Sequence, residues 1–298
     1  MPPLRTGVAE PPYPQPRVLN SGDIEHLSGQ STPPGQSPPQ TPPADQKNPY
    51  GLFNQKPGQL KYRLSFLVKP TIFVASFAAG SNWLLSYHKK KNPEVYTDHS
   101  RQKISKDTLF KGIVLANVSV FAISQLAKKN NWIRFRQFER QYLICSVYSK
   151  TAVPSMFGSV FNHIDFQHIC LNMLALTVIE AAMPIDAYTM AHVYTNGGLF
   201  GCLGSYISNV LRLKRWPMAR GASAAILSLY AYTVAEYPEV KLSVPLLKEV
   251  IPLEVPTKYI VWPCAILDAY KVMGSSQKVE NSAHLAGVCY GYLQGLFD

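Results

Sequence analysis

Apolar residues run almost unbroken over residues 64–87, 108–126, 166–183, 187–211, 223–236, 259–273 and 282–297, with polar or basic connectors between the runs. A helix crosses the hydrocarbon core of a bilayer with roughly 20 mostly apolar residues. The pattern therefore predicts seven hydrophobic helices, one leading helix followed by a core of six. Residues 223–236 are short for a full crossing. A helix that starts at membrane depth is tolerated only where its end is buried in protein or lines a wet cavity. Basic residues close the first two runs, His88-Lys89-Lys90-Lys91 and Lys128-Lys129, as interfacial anchors do. The connector 128–161 mixes Trp132, Phe135, Phe138 and Tyr142 with Arg134, Arg136 and Arg140. Such a mixture suits a segment lying in the headgroup region, and an amphipathic surface loop has the same composition.

Composition changes this picture at one end of the chain. The mean hydropathy of −0.03 has the value of a soluble protein only because residues 1–59 are polar and rich in Pro, Ser, Gln and Gly. Such a segment buries too little apolar area to offset its ordering entropy, so it is expected to be disordered. It carries Arg5 and Arg17 but also Glu10, Asp23 and Glu25, a poor match to an acid-depleted transit peptide, and it has no apolar stretch of the secretory type. The net charge of +11 is scattered over connectors and forms no single stripe. It reads as loop Lys and Arg beside membrane helices, and no nucleic-acid partner is expected. Cys145, Cys170, Cys202, Cys264 and Cys289 form no C-x-x-C pair. They are expected to be small apolar core residues, with no disulfide framework and no zinc site.

Three polar sites interrupt the apolar runs. His168 and Asn172 are four residues apart and share one helix face, with His163 five residues before. Neither belongs against lipid, and hydrogen bonding between helices explains such residues as readily as chemistry does. Ser223, in Gly221-Ala222-Ser223-Ala224, opens an Ala-rich run. A serine there is also what a plain N-cap looks like, while Gly221 allows a sharp turn. His284 shares a helical face with Gly287, Gly291 and Gly295, and glycines at that spacing let helices approach closely. His284 therefore points into a tight helix contact, as a structural histidine or as a base. A nucleophile needs a base within hydrogen-bond reach, and Ser223 with His284 supplies the pair.

The order H-x-x-x-x-H-x-x-x-N, then G-x-S, then A-H-x-x-G-x-x-x-G, each on its own hydrophobic helix, resembles the rhomboid family of intramembrane serine proteases. The resemblance covers about Gly112 to the end of the chain. The leading helix and the Trp132 to Tyr148 stretch are similar to the mitochondrial presenilin-associated rhomboid-like subgroup. The resemblance implies an all-α polytopic membrane protein, a six-helix core with one extra N-terminal helix. It divides the chain into a Pro-rich segment 1–59, a leading helix and linker 60–107, and a protease domain 108–298. Residue by residue, it makes Ser223 the nucleophile and His284 the general base of a dyad that uses no aspartate. It makes His168 and Asn172 the oxyanion-binding pair, and gives His163, Gly221, Gly287 and Gly291 structural roles. Asn281 has a counterpart in some bacterial members. No cofactor and no metal are implied.

The implied activity is endoproteolysis of transmembrane segments of membrane proteins, with the lipid bilayer and the substrate as partners, in the mitochondrial inner membrane. The alternative is an inactive rhomboid that binds membrane clients. An unrelated transporter should show internal repeats or matching broken helices, and the sequence has none. Two positions depart from the family pattern. Ala224 stands where most active members have glycine, and the Trp-Arg pair of the first connector appears as Trp132-Ile133-Arg134. With seven spans, the connectors 128–161 and 212–220 share a side rich in Lys and Arg, which the positive-inside rule makes matrix-like. The cluster Lys89 to Lys91 opposes that assignment.

Overall fold

The computed structural model describes residues 60–98, 101, 103–212, 218–243, 254–273 and 281–298. The segment 1–59, with its expected disorder, lies outside the described residues. Ten α-helices occur among the described residues. The leading helix α1 (Leu60–Lys91) is followed by the short α2 (Pro93–Thr97) and by α3 (Lys106–Lys129). The 128–161 connector holds α4 (Ile133–Tyr142), α5 (Ala152–Gly158) and a 3-10 turn, Ser159–Phe161. Then come α6 (Phe166–Ala182), α7 (Ala187–Arg212), α8 (Ser223–Glu236), α9 (Lys258–Met273) and α10 (Asn281–Phe297). Two-residue strands, β1 (Lys241–Leu242) and β2 (Val255–Pro256), pair antiparallel between α8 and α9.

Helix ends follow local chemistry. Ser105 caps α3 by accepting from the Thr108 N–H at 3.1 Å, and Asp165 caps α6 by accepting from the His168 N–H at 2.8 Å. Each cap satisfies a first-turn donor that has no partner inside its helix. His88 to Lys91 lie in the last turn of α1, and Lys128 and Lys129 in that of α3. There the helix dipole favours cations.

Beside an apolar core, large apolar side chains stand exposed and several polar ones are fully buried. Ile72, Trp83 and Leu115 are 61%, 67% and 67% exposed, while Asn196 and Asn209 on α7 are 0% exposed. Water would penalise such apolar faces, whereas lipid takes them at no cost and drives polar groups inward as helix–helix contacts. The Asn196 amide donates to Ser81 Oγ at 3.1 Å, tying α7 to α1. By length and apolarity alone, Tyr62–Lys91 and Lys106–Lys129 qualify as spans, and a third is added if α5 with its 3-10 turn and α6, bent by 80°, count as one. The other core helices are shorter or carry the polar residues they bury.

The shortest of the hydrophobic helices, α8, is the hub. Ala224 to Ile226 and Ser228 to Val234 are all buried, enclosed chiefly by α7 and α10. This placement is how a 14-residue helix is tolerated at membrane depth. Cysteine burial corrects one expectation. Cys145 and Cys202 are buried, but Cys170, Cys264 and Cys289 are exposed, and all five are free. A thiol is apolar enough to stand on a lipid-facing surface, so an apolar run does not fix which face it takes.

Candidate active site

Ser223 is the first residue of α8, after Ala222 at φ −76°, ψ −6°, and no side chain caps the helix. The N-cap alternative for Ser223 is therefore removed. Its hydroxyl lies 2.7 Å from Nε2 of His284 on α10. The turn leading to it is held from the connector side. Cys145 and Ala219 exchange backbone hydrogen bonds of 2.9 and 3.0 Å, and the Gly221 N–H donates to the Ser159 carbonyl at 2.9 Å. The Ala222 N–H donates to Nε2 of His163, a fully buried side chain, at 3.4 Å.

Gly221 has φ +122°, a region where side chains are strained. A Cβ there would also lie 2.7 and 2.9 Å from Cε1 and Nε2 of His168. Alanine at 221 is accordingly expected to destabilise the fold by about 1–3 kcal/mol and to displace Ser223. Thermal unfolding in detergent, with fluorophosphonate labelling of Ser223, measures both effects. An unchanged labelling rate would refute the expectation.

The glycine face of α10 explains why His284 arrives at Ser223. A Cβ on Gly287 would strike the Ala224 carbonyl, and one on Gly291 the Ser228 carbonyl. One on Gly295 would stand 2.7 Å from the Tyr232 carbonyl oxygen. The contacts advance by four residues on both helices, so the two backbones lie against each other in fixed register. His284 lies one turn before Gly287, level with the start of α8. From the other flank, a Cβ on Gly201 of α7 would meet the Ala224 methyl. Ala224 is helical and buried, so alanine in place of glycine imposes no backbone strain.

His168 and Asn172 border the same space. The His163 and His168 rings meet edge-on with centroids 4.9 Å apart, and Nδ1 of His168 is buried without a hydrogen-bond partner among the described residues. The Asn172 amide donates one hydrogen to the His168 carbonyl at 2.8 Å, leaving its second N–H for another acceptor. Ser223, His284, His168, Asn172 and Gly221 all line one cavity of about 700 Å³. Leu171, Ala175, Leu227, Tyr230 and Ile260 make its apolar side, while Asp165, Arg220 and Lys271 bring charge to it. Arg220 pairs with the buried Glu139 of α4 at 3.7 Å.

The structure adds one residue to this group. Asp268 of α9 lines the cavity and places Oδ2 3.1 Å from Nδ1 of His284. The dyad implied by the resemblance uses no aspartate, and here a carboxylate stands beside the second nitrogen of its histidine. The signal was present in the sequence, because Asp268 is the one acidic residue in the apolar run 259–273, and an ionisable group there is functional by default. Among the described residues, no group of three or more His, Cys, Asp or Glu side chains is arranged to hold a metal ion.

A rhomboid domain model matches residues 150–298, from the end of the connector through the last helix. The chain is also similar to Rhomboid protein 1, mitochondrial, of Saccharomyces cerevisiae, with 29% identity over 129 residues. That match takes in 42% of this chain and 36% of the yeast protein, so the chain spans about a third of that relative's length.

Proposed function

The chain belongs to the rhomboid family and is an integral membrane protein, and on that premise we propose that it is an intramembrane serine endopeptidase using Ser223 and His284. The observation that carries the reading is the 2.7 Å contact of Ser223 Oγ with His284 Nε2 at the wall of a cavity. A hydroxyl is a weak nucleophile until a neighbouring base takes its proton. Here the base comes from a different helix, held at that distance by glycine packing.

In the proposed reaction, Ser223 Oγ attacks the scissile carbonyl as its proton passes to His284 Nε2. The oxyanion is held by the side chains of His168 and Asn172 and by the Ser223 N–H, a first-turn amide with no acceptor inside its own helix. His284 returns the proton to the leaving amine, and water releases the acyl group by the reverse sequence. The substrate is a transmembrane segment able to unwind locally, because an intact helix keeps its peptide bonds inside its own hydrogen bonding. The apolar wall from Leu171 to Ile260 suits such a segment, and the charged end near Arg220 suits water.

The seven-span topology and residence in the mitochondrial inner membrane belong to the same proposal. The name of the yeast relative supports the organelle. The test is cleavage of a reporter transmembrane substrate by the full chain in liposomes, with fluorophosphonate labelling in parallel. Cleavage together with labelling at Ser223 is the expected result. Neither cleavage across several substrates nor labelling would overturn it and favour a client-binding rhomboid without catalysis.

A further inference from the structure

The proposed reaction engages only one nitrogen of His284, yet the other faces a carboxylate. Asp268 and Asn281 are 7% and 2% exposed. Oδ1 of Asp268 accepts from the side-chain amide of Asn281, the first residue of α10. Oδ2 is left for Nδ1 of His284 at 3.1 Å. A carboxylate is costly at membrane depth and is kept there paired, at a functional position. Both oxygens of this one are engaged, and both contacts go to the helix that carries the base.

We infer that Asp268, held by Asn281, is a positioning residue that fixes the tautomer and orientation of His284, an inference that rests on the protease reading above. The chemistry requires such a choice. Neutral imidazole carries one N–H, and the hydrogen bond made by one nitrogen sets the state of the other. With Nδ1–H donating to Asp268, Nε2 presents a lone pair to the Ser223 hydroxyl. In the opposite tautomer Nε2 carries a hydrogen and is no acceptor for the serine proton.

During attack the Oγ–C bond forms, the carbonyl electron pair moves onto oxygen, and the proton moves from Oγ to Nε2. The Nδ1 hydrogen stays on the histidine, and Asp268 neither gains nor loses a proton. The imidazolium so formed faces the carboxylate. Asp268 is buried and His284 partly so, which leaves bulk solvent less able to screen this contact than at an open surface.

The test uses the full chain in liposomes with a reporter transmembrane substrate, comparing Asp268→Asn, Asp268→Glu and Asn281→Ala. The aspartate-to-asparagine change costs about 10⁴ in kcat in a soluble Ser-His-Asp triad. Asp268→Asn is expected to lower kcat by at least ~100-fold with KM changed less than ~2-fold, since the residue orients the base and does not touch substrate. Asp268→Glu, which keeps the carboxylate, should recover at least ~10-fold of that loss. Asn281→Ala should lower kcat by about 10-fold by loosening the carboxylate, and it stands in if Asp268→Asn does not fold.

An Asp268→Asn protein with kcat within ~3-fold of wild type would overturn the inference while leaving the protease reading intact. So would equal losses in Asp268→Asn and Asp268→Glu that track a lowered unfolding temperature, the mark of a merely structural carboxylate. A wild type that neither cleaves nor labels would overturn the protease reading and this inference with it.

Discussion

Cleavage of a reporter transmembrane substrate is expected to fall to background in Ser223→Ala, in His284→Ala and in the double variant alike. The two side chains meet at 2.7 Å, and in the proposed reaction they act as one unit, so losing either removes the attack. In a soluble serine protease a single such loss costs about 10⁶ in kcat and a second adds almost nothing. The same non-additivity is expected here, and it distinguishes a dyad from two residues that each contribute separately. Stability should barely change in Ser223→Ala. The serine does not cap α8, and alanine is readily accommodated in a helix. Initial rates in proteoliposomes, with unfolding temperatures in detergent, measure both quantities. Cleavage by Ser223→Ala above background would reassign the nucleophile.

The sequence pattern located the helices closely because bilayer physics writes them in one dimension. The run read as 223–236 is α8 to the residue, and the runs at 166–183 and 187–211 differ from α6 and α7 by one residue each. The meeting of α8 with α10 was legible for a related reason. Glycines at 287, 291 and 295 leave a backbone-wide groove on one face, and His284 shares that face. What the pattern could not carry were contacts between different helices lacking such a groove. Asp268 is 16 residues from His284, a separation that no helical period relates, so only the crossing of α9 and α10 brings them together. Helix α4 is not separable from a loop by pattern, since its aromatic and basic residues fit an interfacial connector of either kind, and α5 has only seven residues. Setting aside the capping reading of Ser223 also needed the backbone angles of Ala222.

The same groove supplies the second large expected effect, in Gly291→Ala. A Cβ at Gly291 would collide with the Ser228 carbonyl oxygen and would stand 2.7 and 2.8 Å from the Ser228 C and Cα. These are backbone atoms of the central helix and cannot swing aside as a side chain would. The two helices must separate, and His284 sits on the one that moves. A displacement of about 1 Å costs on the order of 100-fold in rate where reacting groups must be held in line. Overpacking at a close contact adds roughly 1–3 kcal/mol of destabilisation. Gly291→Ala is thus expected to label with fluorophosphonate about 100-fold more slowly than wild type and to unfold at lower temperature. Gly112→Ala on α3 is the matched control, since a Cβ there meets nothing within 4 Å. It should label at the wild-type rate and gain up to about 1 kcal/mol from helix propensity. Equal labelling of the two variants would mean that glycine packing does not set the distance between Ser223 and His284. A loss confined to Gly291→Ala would tie the chemistry of the site to the contact of two bare backbones.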